Sequence, residues 1–361
     1  MRNDQVIAEI REILNGRPVL VTGADGFVGS HLAEKLIDFG AKVHALVRPT
    51  SAGSLQNIQH IKDKVTLLRA HLADQVAVRK AIRTLAEAGE QPVIFHLAAQ
   101  AHVGESWNRP YETIESTTIS TMNILQAVVD LGLDIYKMDT AGSSEEFGNV
   151  NREFLTLYRF GEDGGVILNE TSPLNPQSVY ATSKVAADFL TRNYCMAYGV
   201  PTVVTRMFNN YGPRQNPRFI TGTIITQALT RNFVELGYIE AKRDFCFVED
   251  GAMGHIHSTL FGEPGQTYVY GYGQNVTIGE WFDMINRLGE EMGYWKELEL
   301  VLNEQKRGRL GKSEVMELRV DYRKLNALTG WQPTFSWEEG LRRTIEWYAT
   351  HRDAWIGRVD W

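Results

Sequence analysis

A short apolar segment leads directly into a glycine-rich turn and then into an amphipathic segment. The apolar segment covers residues 18–22, the glycines are Gly23, Gly26 and Gly29, and the amphipathic segment starts at Phe27. Glycines at this spacing allow a tight turn after a strand, close approach of the backbone to a pyrophosphate, and tight packing of the helix on the strand. The first turn of the helix adds N–H donors and a partial positive charge. The pattern therefore predicts a dinucleotide-binding turn; an ordinary glycine-rich connection is the alternative.

Apolar and amphipathic segments continue to alternate through the first half of the chain. Strands are predicted at 42–47, 65–68, 93–97 and 135–140, and helices at 27–39, 76–88 and 111–131. Strands separated by helices of this length favour right-handed crossovers and a parallel sheet. The predicted fold is α/β: a Rossmann-type doubly wound parallel sheet with a smaller mixed α/β substrate-binding lobe.

The predicted domain organisation follows from where this alternation starts and stops. Residues 1–16 form a helical extension, 17–205 an NAD(P)-binding Rossmann domain, and 206–361 mainly a substrate-binding lobe, with some segments returning to the Rossmann domain. Segments after about Arg206 are shorter and more irregular. A chain of 361 residues is long for one domain, which agrees with two lobes.

Composition excludes several classes of protein. The net charge is −7, and the absence of a dense Lys/Arg run argues against a nucleic-acid partner. No apolar segment approaches the roughly 20 residues that span a bilayer, and the N-terminus lacks an apolar signal core. Two cysteines, Cys195 and Cys246, do not suggest a disulfide framework. We expect a cytoplasmic enzyme with no metal site and no membrane partner.

Tyr180 and Lys184 are four residues apart in a predicted helix and therefore share one face. A phenol with a pKa of about 10 is a poor base at neutral pH. A neighbouring ammonium favours the phenolate and lowers this pKa, and the same lysine can hold a nicotinamide ribose. We predict a catalytic pair; an exposed surface pair is the alternative.

The end of the second predicted strand bears on which dinucleotide is bound. An acidic residue there would bind a ribose 2′-hydroxyl and favour NAD. The sequence instead has Arg48 followed by Ser51, which are suited to a 2′-phosphate. NADP is therefore favoured over NAD. The alternative is that Arg48 stacks on the adenine or faces solvent.

Several further segments carry a family resemblance that runs from about residue 19 to residue 348. They are residues 96–103, 141–148, 206–215, 241–245, 312–315 and 330–333. With the glycine turn and the Tyr/Lys pair, they make the chain resemble the extended short-chain dehydrogenase/reductases, and among these the nucleotide-sugar 4,6-dehydratases. Residues 214–224 and 236–245 are similar to the GDP-mannose 4,6-dehydratases in particular, which use NADP.

The resemblance implies a mechanism with four catalytic residues. Ser143 would hydrogen-bond the sugar O4 while Tyr180, supported by Lys184, removes its proton and C4 gives a hydride to the cofactor. Glu145 would take the C5 proton, water would leave from C6, and the hydride would return to C6. Where some members have a separate Asp acid this chain has Ser144, so Glu145 is expected to serve as both base and acid. The alternative for Glu145 is a helix first-turn acid stabilised by the dipole.

The same resemblance implies two sets of binding residues. The predicted cofactor contacts are Gly23, Gly26, Phe27, Val28, Gly29, Arg48, Ser51, Leu72, Leu97, Ala98, Ala99, Tyr180 and Lys184. The predicted substrate contacts are Gln100, His102, Ser144, Asn209, Arg214, Arg243, Arg309 and Glu314. The three arginines are candidates for the substrate diphosphate, because a guanidinium can bind phosphate oxygens bidentately. Each of them could instead form a structural ion pair, and His102 could be structural.

Some positions depart from the family pattern. His71 stands where an Asp is usual, Ala101 replaces a Ser, Thr117 an Asn and Leu310 a Pro. The loop over 149–170 is longer than usual and lies between two catalytic motifs, where it could cover the sugar pocket.

Four other functions remain possible from the sequence. The 143–148 segment is also similar to GDP-4-keto-6-deoxy-sugar reductases, which consume free NADPH. Epimerases or sugar-acid decarboxylases rank behind them, followed by a nucleotide-binding regulator without catalysis.

The relatives usually pair through two helices, here about 111–131 and 178–198, so a homodimer is expected and a tetramer is possible.

Overall fold

Seven parallel strands form the central sheet of the protein. The computed structural model describes residues 2–50, 55–306, 309, 311 and 313–359. The strands in chain order are β1 (Pro18–Thr22), β2 (Lys42–Val47), β3 (Thr66–Arg69), β4 (Val93–His96), β5 (Lys137–Ala141), β6 (Arg159–Phe160), β7 (Val166–Ile167), β8 (Thr202–Met207), β9 (Asn209–Tyr211), β10 (Phe233–Leu236), β11 (Lys242–Arg243), β12 (Phe245–Phe247), β13 (Thr267–Tyr270), β14 (Val276–Thr277) and β15 (Glu299–Leu302). The central sheet has the order β3–β2–β1–β4–β5–β8–β13. The order reverses between β1 and β4, which is where ligands bind in doubly wound sheets.

Helices cover both faces of this sheet and build the second lobe. They are α1 (Arg2–Leu14), α2 (Phe27–Asp38), α3 (Gln75–Glu87), α4 (Glu105–Asn108), α5 (Pro110–Ile114), α6 (Ser120–Asp130), α7 (Val179–Tyr198), α8 (Ile220–Ala228), α9 (Val248–Phe261), α10 (Ile278–Glu291), α11 (Arg323–Thr329) and α12 (Trp337–Thr350). Short 3₁₀ segments lie at Leu55–Lys64, Ser144–Glu146, Arg152–Leu157, Glu304–Lys306, Arg352–Ala354 and Ile356–Arg358.

The alternation of side chains in β1 explains the layered packing. Val19 and Val21 point to the face that is covered by α1, α2 and α9, whereas Leu20 points to the face covered by α3 and α6. Both faces of β1 are buried, which explains why this strand is an almost continuous apolar run. The segments with predicted site residues that follow β4 and β5 are held at the carboxyl edge of this sheet.

The smaller lobe has its own aromatic core. Trp281 of α10 stacks on Phe245 of β12, with ring centroids 4.2 Å apart, and Tyr211 of β9 packs edge-on against the same indole. Helices α8 and α12 complete this core. The chain after Arg206 does not stay in this lobe, because β13 pairs with β8 in the central sheet and α9 packs on α2.

The α/β prediction with a doubly wound parallel sheet is confirmed, and the differences are local. The region predicted as one helix over 111–131 is divided into α5, a π-helical segment Glu115–Ile119 and α6. Hydroxyl groups bond to backbone carbonyls there, for example Thr121 to Thr117 O at 2.7 Å, which competes with regular helical bonding. Thr118 of the same segment donates to Ser183 O at 3.1 Å, tying it to α7.

The long loop over 149–170 is ordered by contacts with residues 313–321. It contains the 3₁₀ segment Arg152–Leu157 and the β6–β7 hairpin. Asn149 donates to Glu314 O at 2.7 Å and accepts from Met316 N at 2.8 Å, so one side chain satisfies both backbone groups. The loop therefore supports the strand-like segment that carries Glu314.

Three other observations complete the fold. Among the described helices, none is long and apolar enough to cross a membrane. Cys195 and Cys246 are free thiols. Ser51 and Leu310 lie outside the described residues, so the structure says nothing of these two predicted positions.

Candidate active site

The glycine turn brings β1 and the start of α2 into close contact. Gly23 has φ +67°, in the left-handed region that glycine tolerates, and its N–H donates to Leu46 O at 3.0 Å. A Cβ on Gly29 would lie 2.2 Å from Gly23 O, so only glycine allows the helix to start this close to the strand. The backbone of Ala98, after β4, lies directly against Gly23.

A buried polar chain links the carboxyl ends of β1 and β4. Thr22 Oγ1 lies 2.8 Å from His96 Nδ1 and accepts from Ala98 N at 3.1 Å. His96 Nε2 lies 3.1 Å from Thr121 Oγ1. Burial, followed by the charge of Lys184, lowers the pKa of His96 to about 3, so the imidazole is neutral at physiological pH. These hydrogen bonds hold the ends of β1 and β4 in the positions where they would contact a bound dinucleotide.

The residues around the turn fit a nicotinamide dinucleotide. The N-terminus of α2 has no side-chain cap, so the first-turn amides, including those of Phe27 and Val28, face the turn without a capping side chain. Leu72 is buried after β3, Leu97 and Ala99 flank Ala98 after β4, and Arg48 is exposed directly after β2. The predicted cofactor contacts that the structure describes therefore gather at the β1/β4 crevice and the ends of β2 and β3.

The turn 143–146, for which the sequence predicts a catalytic role and which is called the catalytic turn below, follows β5. Ser143 caps the 3₁₀ segment: its Oγ accepts from Glu145 N at 3.2 Å, while Glu146 Oε1 accepts from Ser143 N at 2.7 Å. This capping box fixes both ends of a three-residue helix. Ser143, Ser144 and Glu145 are all buried. The arrangement holds the Ser143 hydroxyl and the Glu145 carboxylate on one short, rigid turn.

Tyr180 and Lys184 lie in the first turns of α7, which Ser178 caps. The side chain of Ser143 lies close enough to the phenol of Tyr180 to lower its pKa, so the catalytic turn and α7 meet at this group. Burial raises the pKa of Tyr180, with smaller contributions of the same sign from Glu145 and Glu146. The predicted lowering of this pKa by Lys184 is therefore not what the structure gives.

The reason lies in the position of the lysine. Lys184 Nζ donates to Ala141 O at 2.6 Å, at the end of β5, and lies 6.0 Å from the centroid of the Tyr180 ring. Burial lowers the pKa of Lys184 to about 8, against the opposing effects of Glu146 and Asp139. The ammonium is anchored to the sheet rather than to the phenol oxygen.

Glu145 is held by an arginine from the far end of the chain. Arg309 donates from NH1 to Oε2 at 2.7 Å and from NH2 to Oε1 at 2.6 Å, a bidentate ion pair. Burial by itself would raise the pKa of Glu145, but the charge and hydrogen bonds of Arg309 outweigh it, and the pKa lies below its usual value. The carboxylate is therefore ionised.

A second arginine–carboxylate pair lies next to the first. Arg243 NH2 donates to Glu314 Oε1 at 2.8 Å, and Arg309 Nε lies 3.5 Å from the same oxygen. Burial lowers the pKa of Arg243, with Arg309 adding to the effect and Glu145 and Glu314 opposing it. Three of the predicted substrate residues, Arg243, Arg309 and Glu314, are thus brought together beside Glu145.

Other predicted substrate residues bring polar atoms that lack protein partners. Gln100 Oε1 and Asn209 Oδ1 are buried without a hydrogen-bond partner among the described residues. Gln100 Nε2 donates to His102 O at 2.8 Å, and the His102 ring packs edge-on against Phe219. Buried polar groups are almost always satisfied, so these oxygens are suited to a polar ligand.

Arg214 is placed apart from the other two arginines. Its guanidinium pairs with Glu34 of α2 at 2.8 Å and donates to Ser30 Oγ and Asn57 O. Its backbone has φ +70°. This geometry supports the alternative stated from the sequence, a structural ion pair, because the charge already has a partner on the nucleotide-binding half.

Three charged residues that connect the elements of the site were not predicted as site residues. Arg206 Nε donates to Glu146 Oε2 at 2.9 Å, and its NH2 donates to Asp188 Oδ2 at 2.8 Å. Arg206 is 3% exposed, and both carboxylates are fully buried. Asp188 lies one helical turn after Lys184, so a carboxylate on the same face of α7 was the available signal. The three charges join the catalytic turn, α7 and β8.

The fold and these groups define the class of protein. A glycine turn after the first strand of a doubly wound sheet, with Ser143 after β5 and with Tyr180 and Lys184 in the first turns of α7, is the arrangement of an extended short-chain dehydrogenase/reductase with a nicotinamide cofactor. Residues 20–344 match the family model described as GDP-mannose 4,6 dehydratase. The chain belongs to this family of nucleotide-sugar 4,6-dehydratases, whose members are hydro-lyases.

Known relatives agree with this assignment. The chain is 30% identical to "GDP-mannose 4,6 dehydratase 2" of Arabidopsis thaliana, over 95% of this chain and 88% of that protein. It is 28% identical to a "dTDP-glucose 4,6-dehydratase" of Shigella flexneri, over 94% of this chain and 95% of that protein. A dTDP-glucose 4,6-dehydratase from Streptomyces venezuelae, solved with NAD bound, is similar in structure with TM-score 0.80, 26% identity, and coverage of 94% and 99%.

The buried triad of Arg206, Glu146 and Asp188 predicts that loss of the arginine strongly destabilises the protein. Replacement Arg206→Met leaves Glu146 buried without its counter-ion and Asp188 with Arg192 alone, and we expect a loss of about 3–5 kcal/mol in the free energy of unfolding, measured by urea denaturation. Arg192→Met is the matched control, because Arg192 pairs with the same Asp188 at 2.6 Å but is one-third exposed. Its loss should be clearly smaller; equal losses would contradict a special role for Arg206.

Proposed function

We propose that this protein converts a GDP-linked hexose into the GDP-4-keto-6-deoxy sugar. The observation that supports this most is the buried carboxylate of Glu145 on the same turn as Ser143, next to Tyr180. Oxidation of an alcohol needs only the hydroxyl pair and the cofactor. A carboxylate at this position adds a group that can move a proton between carbon and a leaving hydroxyl, which an elimination requires.

The first half of the proposed reaction uses Ser143, Tyr180 and Lys184. The sugar O4 would accept a hydrogen bond from Ser143 Oγ, and Tyr180 would take the O4 proton. Because burial raises the pKa of Tyr180, the phenolate is unfavourable before the reactants are bound. Lys184, anchored to Ala141 O, is suited to hold the ribose next to the phenol. The bound nicotinamide supplies the hydride acceptor for C4 and later the donor for C6.

The second half depends on Glu145. Oxidation at C4 makes the C5 proton acidic, and the Glu145 carboxylate would remove it. The same carboxyl group would then protonate the hydroxyl that leaves C6 as water. When hydride adds at C6, C5 would regain a proton, which balances the one that Tyr180 took from O4. Ser144 stands where a separate acid would otherwise be placed, so Glu145 serves both steps. Glu145 must therefore be ionised when it accepts the C5 proton and protonated when it donates to the leaving hydroxyl.

The preference for GDP is part of this proposal. It is supported by the matching family model and by the 30% identity to the Arabidopsis enzyme named for GDP-mannose. Several relatives of similar identity are named for dTDP-glucose, so substrate tests must include both nucleotides. Arg243 and Arg309, together with Asn209, are the proposed contacts of the diphosphate.

The alternatives have weaker support. A UDP-glucose 4-epimerase from Thermus thermophilus has TM-score 0.77 and 28% identity, which reflects the shared fold. An epimerase has no elimination step in which the Glu145 carboxylate would serve. The reductase alternative gains no support from the known relatives.

NADP is the proposed cofactor. Arg48 is exposed directly after β2, at the position where an acid would favour the free ribose hydroxyl. Related structures from Streptomyces venezuelae and Bacillus anthracis contain NAD, so the comparison of the two cofactors is a direct test.

A homodimer is also proposed. Tyr111 of α5 and Met196 of α7 are 90% and 82% exposed, and Phe189, which is seven residues before Met196 and on the same face of α7, is also exposed. Large apolar side chains clustered on neighbouring helices are typical of a protein–protein interface. A second copy of the chain would cover them in a four-helix arrangement.

The reaction is tested with a panel of nucleotide sugars. We expect GDP-mannose, incubated with the protein and no added reduced cofactor, to lose the mass of one water without net cofactor consumption, as followed by mass spectrometry. Preferential dehydration of dTDP-glucose would correct the nucleotide. Oxidation of added NADPH by a 4-keto-6-deoxy sugar, without water loss from any substrate, would indicate a reductase.

The role of Glu145 is tested in the same assay. Glu145→Gln should slow water loss by about 10²- to 10⁴-fold while reduced nicotinamide still forms at the C4 step. Glu346→Gln, an exposed change on α12, is the control. Unchanged dehydration by Glu145→Gln would contradict its proposed role.

The cofactor proposal predicts a selective effect at Arg48. Arg48→Ala should weaken NADP binding about tenfold or more, because one charge-assisted contact to the 2′-phosphate is lost, and change NAD binding little. Fluorescence titration measures both. Arg83→Ala, an exposed arginine on α3, should change neither. Tighter binding of NAD than NADP by the parent protein would contradict the proposal.

The dimer proposal predicts that one charge on the apolar face causes dissociation. Met196→Asp should shift the molar mass from that of two chains to that of one in light scattering, because a carboxylate would be desolvated in the interface. Val76→Asp, also highly exposed but on α3, is the matched control and should stay dimeric. A monomeric parent protein would rule out the dimer.

A further inference from the structure

Glu145, the proposed base, is bound to an arginine in the described structure. Arg309 occupies both oxygens of Glu145, at 2.7 Å and 2.6 Å. A carboxylate whose two oxygens both accept from a guanidinium is a weaker base than a free one, since protonation must break charge-assisted hydrogen bonds. Each oxygen keeps a second lone pair, but the guanidinium lowers the basicity of both oxygens toward a proton on carbon. Release of Glu145 from Arg309 would therefore restore the basicity that removal of the C5 proton requires.

Arg309 also lies beside other charged groups, so an anion other than Glu145 can bind it. Its Nε is 3.5 Å from Glu314 Oε1, and Glu314 is in turn held by Arg243. Arg218 and Arg309 both act on His102 by their charge, and both lower its pKa after the larger effect of burial. Guanidinium groups from several segments therefore lie near Glu145 and His102, which is a suitable environment for a multiply charged anion.

Unpartnered buried oxygens mark the same region. Ser313 Oγ lies next to Glu314 in sequence and is 8% exposed, with no hydrogen-bond partner among the described residues. Asn209 Oδ1 and Gln100 Oε1 are in the same condition. Such groups indicate a polar ligand that completes their hydrogen bonds. The site thus has both the charge and the polar atoms for a nucleoside diphosphate.

We propose that Arg309 is a latch on Glu145 that the diphosphate of the substrate opens. A guanidinium fork fits phosphate oxygens as well as it fits a carboxylate, and a diphosphate carries more charge than the single carboxylate it replaces. Arg309 moves to the diphosphate, and Glu145 becomes a free buried carboxylate. This inference rests on the proposed function. It makes recognition of the diphosphate a condition for proton removal, so a sugar without a diphosphate leaves the base paired with Arg309.

The latch has a thermodynamic signature that does not require turnover. The charged or titratable groups that face Glu145 are Arg309, Arg243 and Tyr180, while Glu314 faces Arg309 from the other side. With Arg309 in place the pKa of Glu145 is below its usual value; without it, burial raises this pKa. The complex therefore binds more protons than the free protein, and diphosphate binding takes up protons.

The experiment is titration calorimetry of the full-length protein with GDP and with dTDP as probes. Each titration is done at pH 5.5 and pH 7.5 in two buffers of different ionisation enthalpy, which gives the number of protons exchanged. Subtracting the Glu145→Gln titration removes protons that belong to the nucleotide phosphates. We expect the parent protein to take up as much as one more proton per site than Glu145→Gln, with the larger excess at pH 5.5.

Two further variants separate the latch from a general effect on charge. Arg309→Gln should bind the nucleotides more weakly and lose the excess uptake, because Glu145 is already released. Arg342→Gln removes an arginine from an exposed ion pair on α12 and should keep the full excess. If Arg309→Gln does not fold, the comparison of the parent with Glu145→Gln still decides the question.

The outcomes distinguish the latch from the proposed reaction. Equal proton uptake by the parent and Glu145→Gln, or no binding of either nucleotide, overturns the latch even if dehydration is observed. Uptake that depends on Glu145 supports the latch, even if no sugar in the panel is dehydrated; the proposed reaction would then fail by itself.

Discussion

The buried guanidinium of Arg206 is the interaction on which the geometry of the site depends. It pairs with both Glu146 on the catalytic turn and Asp188 on α7, and all three side chains are almost fully buried. Glu146 also accepts from the Ser143 N–H, and Asp188 lies one turn after Lys184. The same charge therefore fixes the serine on one element relative to the tyrosine and lysine on another. Either carboxylate without Arg206 would bear a desolvation cost of several kcal/mol.

The ion pairs around Glu145 differ from the Arg206 triad in their surroundings. Arg309 with Glu145 and Arg243 with Glu314 form two adjacent pairs among the predicted substrate residues. The Arg206 triad joins three structural elements and is buried, so it positions the catalytic turn. In our proposal the substrate diphosphate replaces Glu145 as the partner of Arg309, and this exchange controls the base.

Local sequence rules account for much of the fold. The glycine turn was predictable because Gly23 and Gly29 meet steric limits set by their immediate neighbours. Ser143 was recognisable from its motif, and the structure gives it a local reason, the capping of a 3₁₀ turn. The π-helical segment Glu115–Ile119 was not foreseen, because it depends on which hydroxyls bond to which carbonyls and on contact with α7.

The sequence by itself determined the α/β sheet, the dinucleotide turn and the spacing of Tyr180 and Lys184, since each follows from periodicity or from residues near in the chain. Only the tertiary structure decided which charge each ionic side chain meets. Arg214 pairs with Glu34 of α2, and Lys184 donates to the sheet rather than to the phenol. Arg309 reaches Glu145 from 164 positions away. A guanidinium binds any carboxylate or phosphate of suitable geometry, so its chemistry limits the possible partners, while packing of distant segments selects one.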